Sequence, residues 1–376
     1  MVVAPRLRLP IGCLGALALI AAVEATLGAL PGRFADPASL NWRLSLAAAE
    51  GATGRNCAVA CVGDSLMKIG VLPGPIAAAT GRTAHNFAMG RAPAPASYFL
   101  LQRMIAAGAR PQTVVVDFKP SMLAGGPKFN LRQWQEVLRP GEMIELTRQA
   151  GGAPFLAEIA VGRLLPSWRG RWEIREAIGS ALLGQFAPTF RNNRLAQRNW
   201  GVNGGTHLNG SRAVFDGTIP DESRRKLIIP RWECHRANVV FVRRFLDLAD
   251  AHGINVVWLV APSSPELQDL RVTEGGDAAY IAFIREQQRR HPRLVVVDGR
   301  HAGYPTAAFA DATHLNARGT APLSRDLGAI LAALDRTPAP APRWLPLPPF
   351  TDQPLDPRAE DIDRSTAIVD AELRRR

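Results

Sequence analysis

Ser65 sits in the stretch Val62-Gly63-Asp64-Ser65-Leu66, and far downstream the stretch FADATHLNARG, residues 309–319, sets Asp311 three residues before His314. A serine hydroxyl is a poor nucleophile until a base takes its proton. An imidazole is such a base when a carboxylate holds its Nδ1, because the carboxylate selects the tautomer that leaves Nε2 free. A carboxylate three residues upstream, in a turn or a first helical turn, can reach that nitrogen. Ser65, His314 and Asp311 would together suit nucleophilic acyl transfer, provided the fold joins the two ends of the chain. A plainer reading competes: Ser and Asp are favoured wherever a helix starts, so Asp64 could be a helix cap or a polar turn with Ser65 merely beside it.

The elements that must position these residues are legible as alternating apolar runs and helix-like spacings. Strands are predicted at Ala58–Val62, Thr83–Phe87, Thr113–Phe118, Ile254–Val260 and Leu294–Val297, and helices at Leu66–Ala79, Ser97–Ala107, Asn238–Ala251, Ala278–Arg290 and Ala317–Leu334. Continuous rather than alternating apolar strands imply burial on both faces, hence a parallel sheet covered by helices. The expected fold is α/β: a doubly wound, flavodoxin-like parallel sheet of about five strands with a mainly helical insertion. Ligands in such sheets lie beyond the carboxyl ends of the strands. Ser65 follows the first strand, and the Asp311–His314 loop lies between the last strand and the last helix, so both fall at that edge. The first turn of the helix after Ser65 would also offer free backbone N–H groups to an oxyanion.

With Gly63-Asp64-Ser65-Leu66 near the start and Asp311-x-x-His314 near the end, the sequence resembles the SGNH, or GDSL, hydrolase superfamily. The resemblance covers residues 55–122 and 236–335. It implies that Ser65 is the nucleophile, His314 the base and Asp311 its orienting partner. It further implies that the backbone N–H of Gly90, in HNFAMGRAPA, joins that of Ser65 in the oxyanion hole. The third block departs from the family pattern: a Gly-x-Asn-Asp stretch would supply an Asn donor, but here the strand ends VVVDFKPSM, with Asp117, Lys119 and Ser121. Losing one such donor can cost roughly 10² to 10³ in rate. Either Asn86 or Ser121 substitutes, or the site has drifted toward acyl transfer or inactivity. A membrane tether with an altered third block is similar to the subset of alginate-acetylation proteins and related polysaccharide O-acetyl-modifying enzymes. The resemblance therefore implies a serine esterase or O-acyltransferase, acetyl in the first instance, acting on an extracytoplasmic glycan, with no metal and no cofactor. The alternative is a non-catalytic, membrane-tethered glycan-binding or assembly component. A phosphate-binding α/β domain using Asp64 would leave His314 unexplained and lacks a glycine-rich phosphate loop.

The rest of the chain bears on address and partners. Arg6 and Arg8 precede an apolar run, Ile11 to Leu30, interrupted only by Glu24 and Thr26, which approaches the roughly 20 residues of a membrane span. Residues 1–35 are expected to be an uncleaved signal anchor, or else a secretory signal cut between Ala25 and Ala35; a buried N-terminal helix is the bland alternative. Either way the core, 36–122 and 236–335, would lie outside the cytoplasm, on the periplasmic side if tethered and secreted if cleaved. The formal net charge of +12 favours anionic partners such as acidic glycans or lipid headgroups. No nucleic-acid motif accompanies it, so nucleic acid is not an expected partner.

Cys13 falls in the N-terminal apolar run; Cys57, Cys61 and Cys234 form no metal pattern and are expected as core cysteines, a disulfide to Cys234 being permitted in an oxidising compartment but not indicated by spacing. His85 could line the cleft but reads better as a structural histidine; His207, His235, His252, His291 and His301 share no ligand spacing. Asp298 is either a brace for the histidine loop or a turn carboxylate. The insertion, 123–235, interleaves Trp134, Trp168, Trp172, Trp200 and Trp232 with arginines. It is expected either to wall a sugar-binding cleft or to close on a small core of its own. Beyond Arg336, the sequence TPAPAPRWLPLPPF predicts an extended strap, followed over 358–376 by a charged segment with helical character, read as a solvated tail with membrane-surface contact as the alternative.

Overall fold

A computed structural model of the protein describes residues 11–29, 35–336 and 343–375. Arg6 and Arg8, the middle of the expected cleavage region, Thr337 to Pro342 at the head of the strap, and Arg376 lie outside the described residues.

Six strands, β1 (Val59–Gly63), β2 (Ala84–Asn86), β3 (Thr113–Asp117), β4 (Asn255–Val260), β5 (Val295–Asp298) and β6 (Arg343–Pro346), form one sheet in the order β2-β1-β3-β4-β5-β6. Every pairing is parallel. The first five follow the 2-1-3-4-5 order of flavodoxin-like α/β sheets. β1 and β3 are buried along their whole length. Their side chains alternate between two apolar layers, as the two-residue period of a strand requires. Ala60, Val62, Val114 and Val116 face a layer with Trp42, Phe99, Phe241, Phe245 and Trp258, whereas Val59, Cys61 and Val115 face one with Met67, Ile76, Leu323 and Leu327. The sheet is thus covered by helices on both faces.

The expectation of about five strands falls one short. β6 arises within the proline-rich stretch, which is extended as expected and pairs with β5 from Val295↔Arg343 to Asp298↔Pro346. An edge strand pairs on one side only, so the N–H that Pro346 lacks can face the open side at no cost. Trp344 Nε1 donates to Asp298 Oδ2 at 3.0 Å, and the Arg285 guanidinium covers the Trp344 ring.

The helix predicted over Leu66–Ala79 is two helices, Ser65–Gly70 and Pro73–Thr80. Pro73 cannot continue a helix already under way, and the break is held from outside: Leu72 N–H donates to Ser324 Oγ, and Val71 O accepts from Asn86 Nδ2 and Thr206 Oγ1.

Between β3 and β4 the chain is helical, but the insertion does not close on a core of its own. Trp134 meets Trp42 edge to face with ring centres 4.9 Å apart, and Trp232 meets Tyr280 at 5.4 Å, so both extend one layer of the sheet's core. Nor are three of its arginines free to line a cleft. Arg191 and Arg198 make forked hydrogen bonds to Asp370 and Glu360, and Arg194 pairs with Glu372. Those acidic partners belong to the C-terminal segment, which is therefore not a solvated tail. Its helix Ile362–Arg374 docks on the helix Pro188–Val202. Buried Glu360 anchors it, its carbonyl accepting from both Asn199 Nδ2 and Asn203 Nδ2.

At the other end, the helix Ile11–Ala29 is long and apolar enough to cross a membrane, and its Gly12–Ala29 stretch is unburied, unlike a core helix of a soluble protein.

Candidate active site

β1 delivers the first site residue through a close approach of two strands. Gly63 has φ +137°, and a Cβ there would stand 2.4 Å from the carbonyl oxygen of Asp117 on β3, so only glycine fits. Asp64 then caps the helix Ser65–Gly70: its fully buried carboxylate accepts from Leu66 N–H at 2.8 Å and, across the sheet edge, from Lys119 N–H at 2.9 Å. Ser65, one residue on, is the first residue of that helix, where its own N–H has no intrahelical acceptor. The cap reading and the exposed-serine reading are therefore compatible, since Asp64 does the capping and leaves Ser65 free.

The fold brings Ser65, His314 and Asp311 together. Ser65 Oγ lies 2.8 Å from His314 Nε2, and His314 Nδ1 lies 2.7 Å from Asp311 Oδ2. The other carboxylate oxygen, Oδ1, accepts the backbone N–H groups of Thr313 at 2.7 Å and His314 at 2.9 Å, which shapes the loop around the carboxylate. Burial by itself would raise the Asp311 pKa. The hydrogen bond and charge of His314, with these two N–H donors, outweigh it and hold the carboxyl well below the usual carboxylate range. The loop is fastened to its surroundings by Ala310 N–H to His314 O, Phe215 N–H to Phe309 O and Asn209 Nδ2 to Leu315 O, the last two from the insertion. Ser264 N–H also donates to Ala312 O.

The expected oxyanion donors fare differently. The Gly90 N–H is spent, donating to Asn41 Oδ1 at 3.0 Å, while Gly90 O accepts from Trp42 Nε1; the helix Pro37–Glu50 clamps this loop. Asn86 is also committed: its Nδ2 donates to Met67 O and Val71 O, and its Oδ1 accepts from Ala88 N–H, all in the interior. Ser121, in the helix Pro120–Ala124 after β3, is half-buried, and its hydroxyl makes no hydrogen bond to a described residue. Of the four, the Ser65 N–H and the Ser121 hydroxyl are the uncommitted donors.

The third block supplies something the sequence did not reveal. Lys119 is buried, and its Nζ donates to Thr313 Oγ1 at 3.3 Å, which in turn donates to Asp311 Oδ1 at 2.9 Å. Lys119 thus braces the histidine loop from β3. Nearby, Arg271 on the helix Pro265–Thr273 has its Nε and Nη2 buried without hydrogen-bond partners, and its charge is felt by Lys119. Leu267, one turn earlier on the same helix face, packs against Ala312 of the histidine loop. The signal for Lys119 is its place two residues beyond Asp117, in the block that departs from the family pattern; Arg271 carries none.

Asp64 and Asp117 form a buried carboxyl pair. Burial raises both. Asp117, facing the Asp64 charge with its Oδ2 unpartnered, rises well above the ordinary range and carries the proton, while Asp64 keeps its two N–H donors. Because the folded-state pKa of Asp117 is raised, its contribution to stability is full below the unfolded value of about 4 and is lost as pH rises from there. Asp117→Asn, which cannot ionise, is expected to raise the denaturant midpoint over wild type at pH 7 and to lose that advantage near pH 3. An equal difference at both pH values would remove the proton from Asp117.

The remaining candidates lie apart from the triad. His85 packs between the rings of Phe87 and Trp200, and burial, with some help from Lys68, pulls it down to about 4. His207 is pulled down to about 4 for the same reasons, and burial takes Lys68, whose Nζ donates to Gly205 O, down to about 7. His235 caps the helix Arg236–Ala251, and His291 pairs with Asp250. Asp298 does not brace the histidine loop; it holds Arg300 and Trp344 as a turn carboxylate at the foot of β6. Cys13, Cys57, Cys61 and Cys234 are all free thiols. Among the described residues no three His, Cys, Asp or Glu side chains converge as a metal site. Two grooves, of about 410 and 690 Å³, run along the helix Pro73–Thr80 against Asp356 and Arg358 and include none of the triad residues.

No model of a known protein family matches the chain, and no curated protein matches it.

Proposed function

We propose that this protein is a serine esterase or O-acyltransferase of the SGNH/GDSL type that acts on ester-linked acyl groups, acetyl in the first instance, of an extracytoplasmic glycan. The observation that carries the reading is the continuous relay from Ser65 Oγ through His314 to Asp311, at 2.8 Å and 2.7 Å. In this reading Ser65 Oγ attacks the ester carbonyl carbon while His314 Nε2 takes its proton, and ionised Asp311 compensates the imidazolium that forms. The Ser65 N–H, at the head of its helix, faces the charge developing on the carbonyl oxygen. Collapse of the tetrahedral intermediate breaks the bond to the sugar oxygen, which leaves with the proton from His314. The acyl group then sits on Ser65 until water, or a second sugar hydroxyl, attacks it with His314 again accepting the proton. The formal net charge of +12 supports an acidic rather than a neutral glycan.

A second reading has one observation in its favour. With Gly90 N–H and Asn86 both committed to internal partners, the oxyanion hole is thinner than the resemblance implies, which suits a tethered glycan-binding component that keeps the fold without the reaction. Labelling separates the two. The full chain is expected to react with a fluorophosphonate at Ser65, to release acetate from an acetylated acidic polysaccharide, and to lose both properties in Ser65→Ala. Labelling that persists in Ser65→Ala, or a wild-type protein that neither labels nor releases acetate, would leave the binding reading.

A further inference from the structure

The exposed apolar surface of the insertion lies beside the N-terminal apolar helix, and the two are tied together chemically. Glu24, the one acid in the helix Ile11–Ala29, accepts from both the backbone N–H and the hydroxyl of Ser167, so it caps the short helix Pro166–Arg169. Gly28 lies against the Pro166 ring, where a Cβ would stand 3.7 Å from Cγ. A carboxylate inside an apolar span is costly unless it is paired, and here its partners come from the insertion. Glu24 sits five residues before Ala29, about 7.5 Å along the helix axis at 1.5 Å per residue. If this helix spans a bilayer, that places Ser167 inside the membrane boundary, within the roughly 5 to 10 Å that an interfacial helix penetrates.

The side chains around Ser167 match that depth. Leu164 is 73% exposed and Trp168 59%; Trp172 and Leu182, on the helix Arg171–Leu182, are 59% and 83% exposed, and Leu183 just past its end is 72% exposed. So many large apolar side chains exposed along one segment are unusual facing water. Arg171 lies over both the Trp168 and Trp172 rings and Arg175 over Trp172, and among the described residues neither arginine has a carboxylate partner. Tryptophan bodies with arginine heads and no internal counter-ion are the composition of a headgroup belt.

We infer that the segment from Leu164 to Leu183 is a monotopic docking face, with its leucine and tryptophan side chains entering the outer leaflet and Arg171 and Arg175 meeting phospholipid phosphates. The protein would then rest on the membrane through two contacts, a span and a face, which holds the catalytic edge at a set height and orientation above the bilayer instead of letting it swing on a flexible tether. The inference rests on the membrane reading of the Ile11–Ala29 helix and is independent of the acyl-transfer chemistry.

The test uses the full chain in phospholipid nanodiscs containing phosphatidylglycerol. A spin label is placed singly at Leu17→Cys, Leu164→Cys, Trp172→Cys or, as a water-facing control, Arg289→Cys, in a Cys13→Ser, Cys234→Ser background. Collision with oxygen, which concentrates in lipid, is compared with collision with a water-soluble nickel chelate. The oxygen-to-nickel ratio is expected to be several-fold higher at positions 164 and 172 than at 289, and to approach that at 17. Labels at 164 and 172 that match 289, or that are shielded from both reagents as under a protein partner or a second copy, would overturn the docking face while Leu17 still reports a span. A water-exposed Leu17 would overturn it together with the anchor. None of these readouts depends on catalysis, so an inactive but docked protein is distinguishable from an active but undocked one.

Discussion

His314→Ala is expected to lower kcat on an aryl acetate by on the order of 10⁵- to 10⁶-fold, with Ser65→Ala, alone or combined with it, losing no more. In the proposed reaction the hydroxyl and the imidazole act as one unit across the 2.8 Å contact. Without the base, the hydroxyl keeps its proton; without the hydroxyl, the base has no protein nucleophile to activate. Neither change should disturb the fold, because both side chains are only partly buried, and Ser65 caps nothing while Asp64 carries the helix start. Thermal midpoints within a degree or two of wild type, with steady-state kinetics on the three variants, make the check. Losses that multiply in the double variant would mean that Ser65 and His314 act in separate steps, which the relay does not allow.

Asp311→Asn should cost about 10⁴ in kcat with little change in KM, for a reason specific to the way this loop is built. An Asn side chain can keep the carboxylate's architectural work, since its Oδ1 can still accept the Thr313 and His314 N–H groups that now bond Asp311 Oδ1. At the other position it presents an NH₂ where Oδ2 now faces His314 Nδ1 at 2.7 Å. Nδ1 must then accept, the ring hydrogen moves to Nε2, and the imidazole donates to Ser65 Oγ instead of taking its proton. The variant would be well folded and nearly inactive, and a fluorophosphonate should label it far more slowly than wild type. Loss of less than about tenfold would reduce Asp311 to a loop-shaping residue. Because Asp311 is held ionised well below the usual carboxylate range, its own titration should leave the pH profile of the wild type untouched through the mildly acidic region.

The relay depends on elements that local sequence specifies strongly. β1 and β3 carry apolar runs, Val59–Val62 and Val114–Val116, whose burial is legible in their composition, and Asp64 is placed by the geometry of a strand running into a capped helix. The Asp311–His314 spacing is a local hydrogen-bonded turn, readable because three residues suffice to close it. Where local preference and distant packing conflicted, sequence reading went astray. The apolar spacing after Ser65 continues through Pro73, yet the helix breaks there because Asn86, Thr206 and Ser324, from three separate parts of the chain, satisfy the groups freed by the break. The proline-rich stretch is extended as its composition predicts, but its pairing as β6 is not legible there, since the open edge of β5 offers hydrogen bonds that no window of sequence contains. The C-terminal helix read as solvated because its charges have no local partners; Arg191, Arg194 and Arg198 supply them from more than 150 residues away.

By itself, the amino-acid sequence determined the α/β class, the parallel strands, the apolar N-terminal helix, and the identity of the serine, histidine and aspartate that meet. Each of these follows from side-chain type and short-range spacing. Only the tertiary structure decided which neighbours surround them: that Gly90 and Asn86 are spent internally, that Lys119 braces the histidine loop, and that Trp168 and Trp172 turn outward beside the apolar helix while Trp134 and Trp232 turn into the core. A polar group takes whichever partner the folded chain brings within about 3 Å, and an aromatic ring buries wherever a surface closes over it. Those distances are properties of the assembled whole.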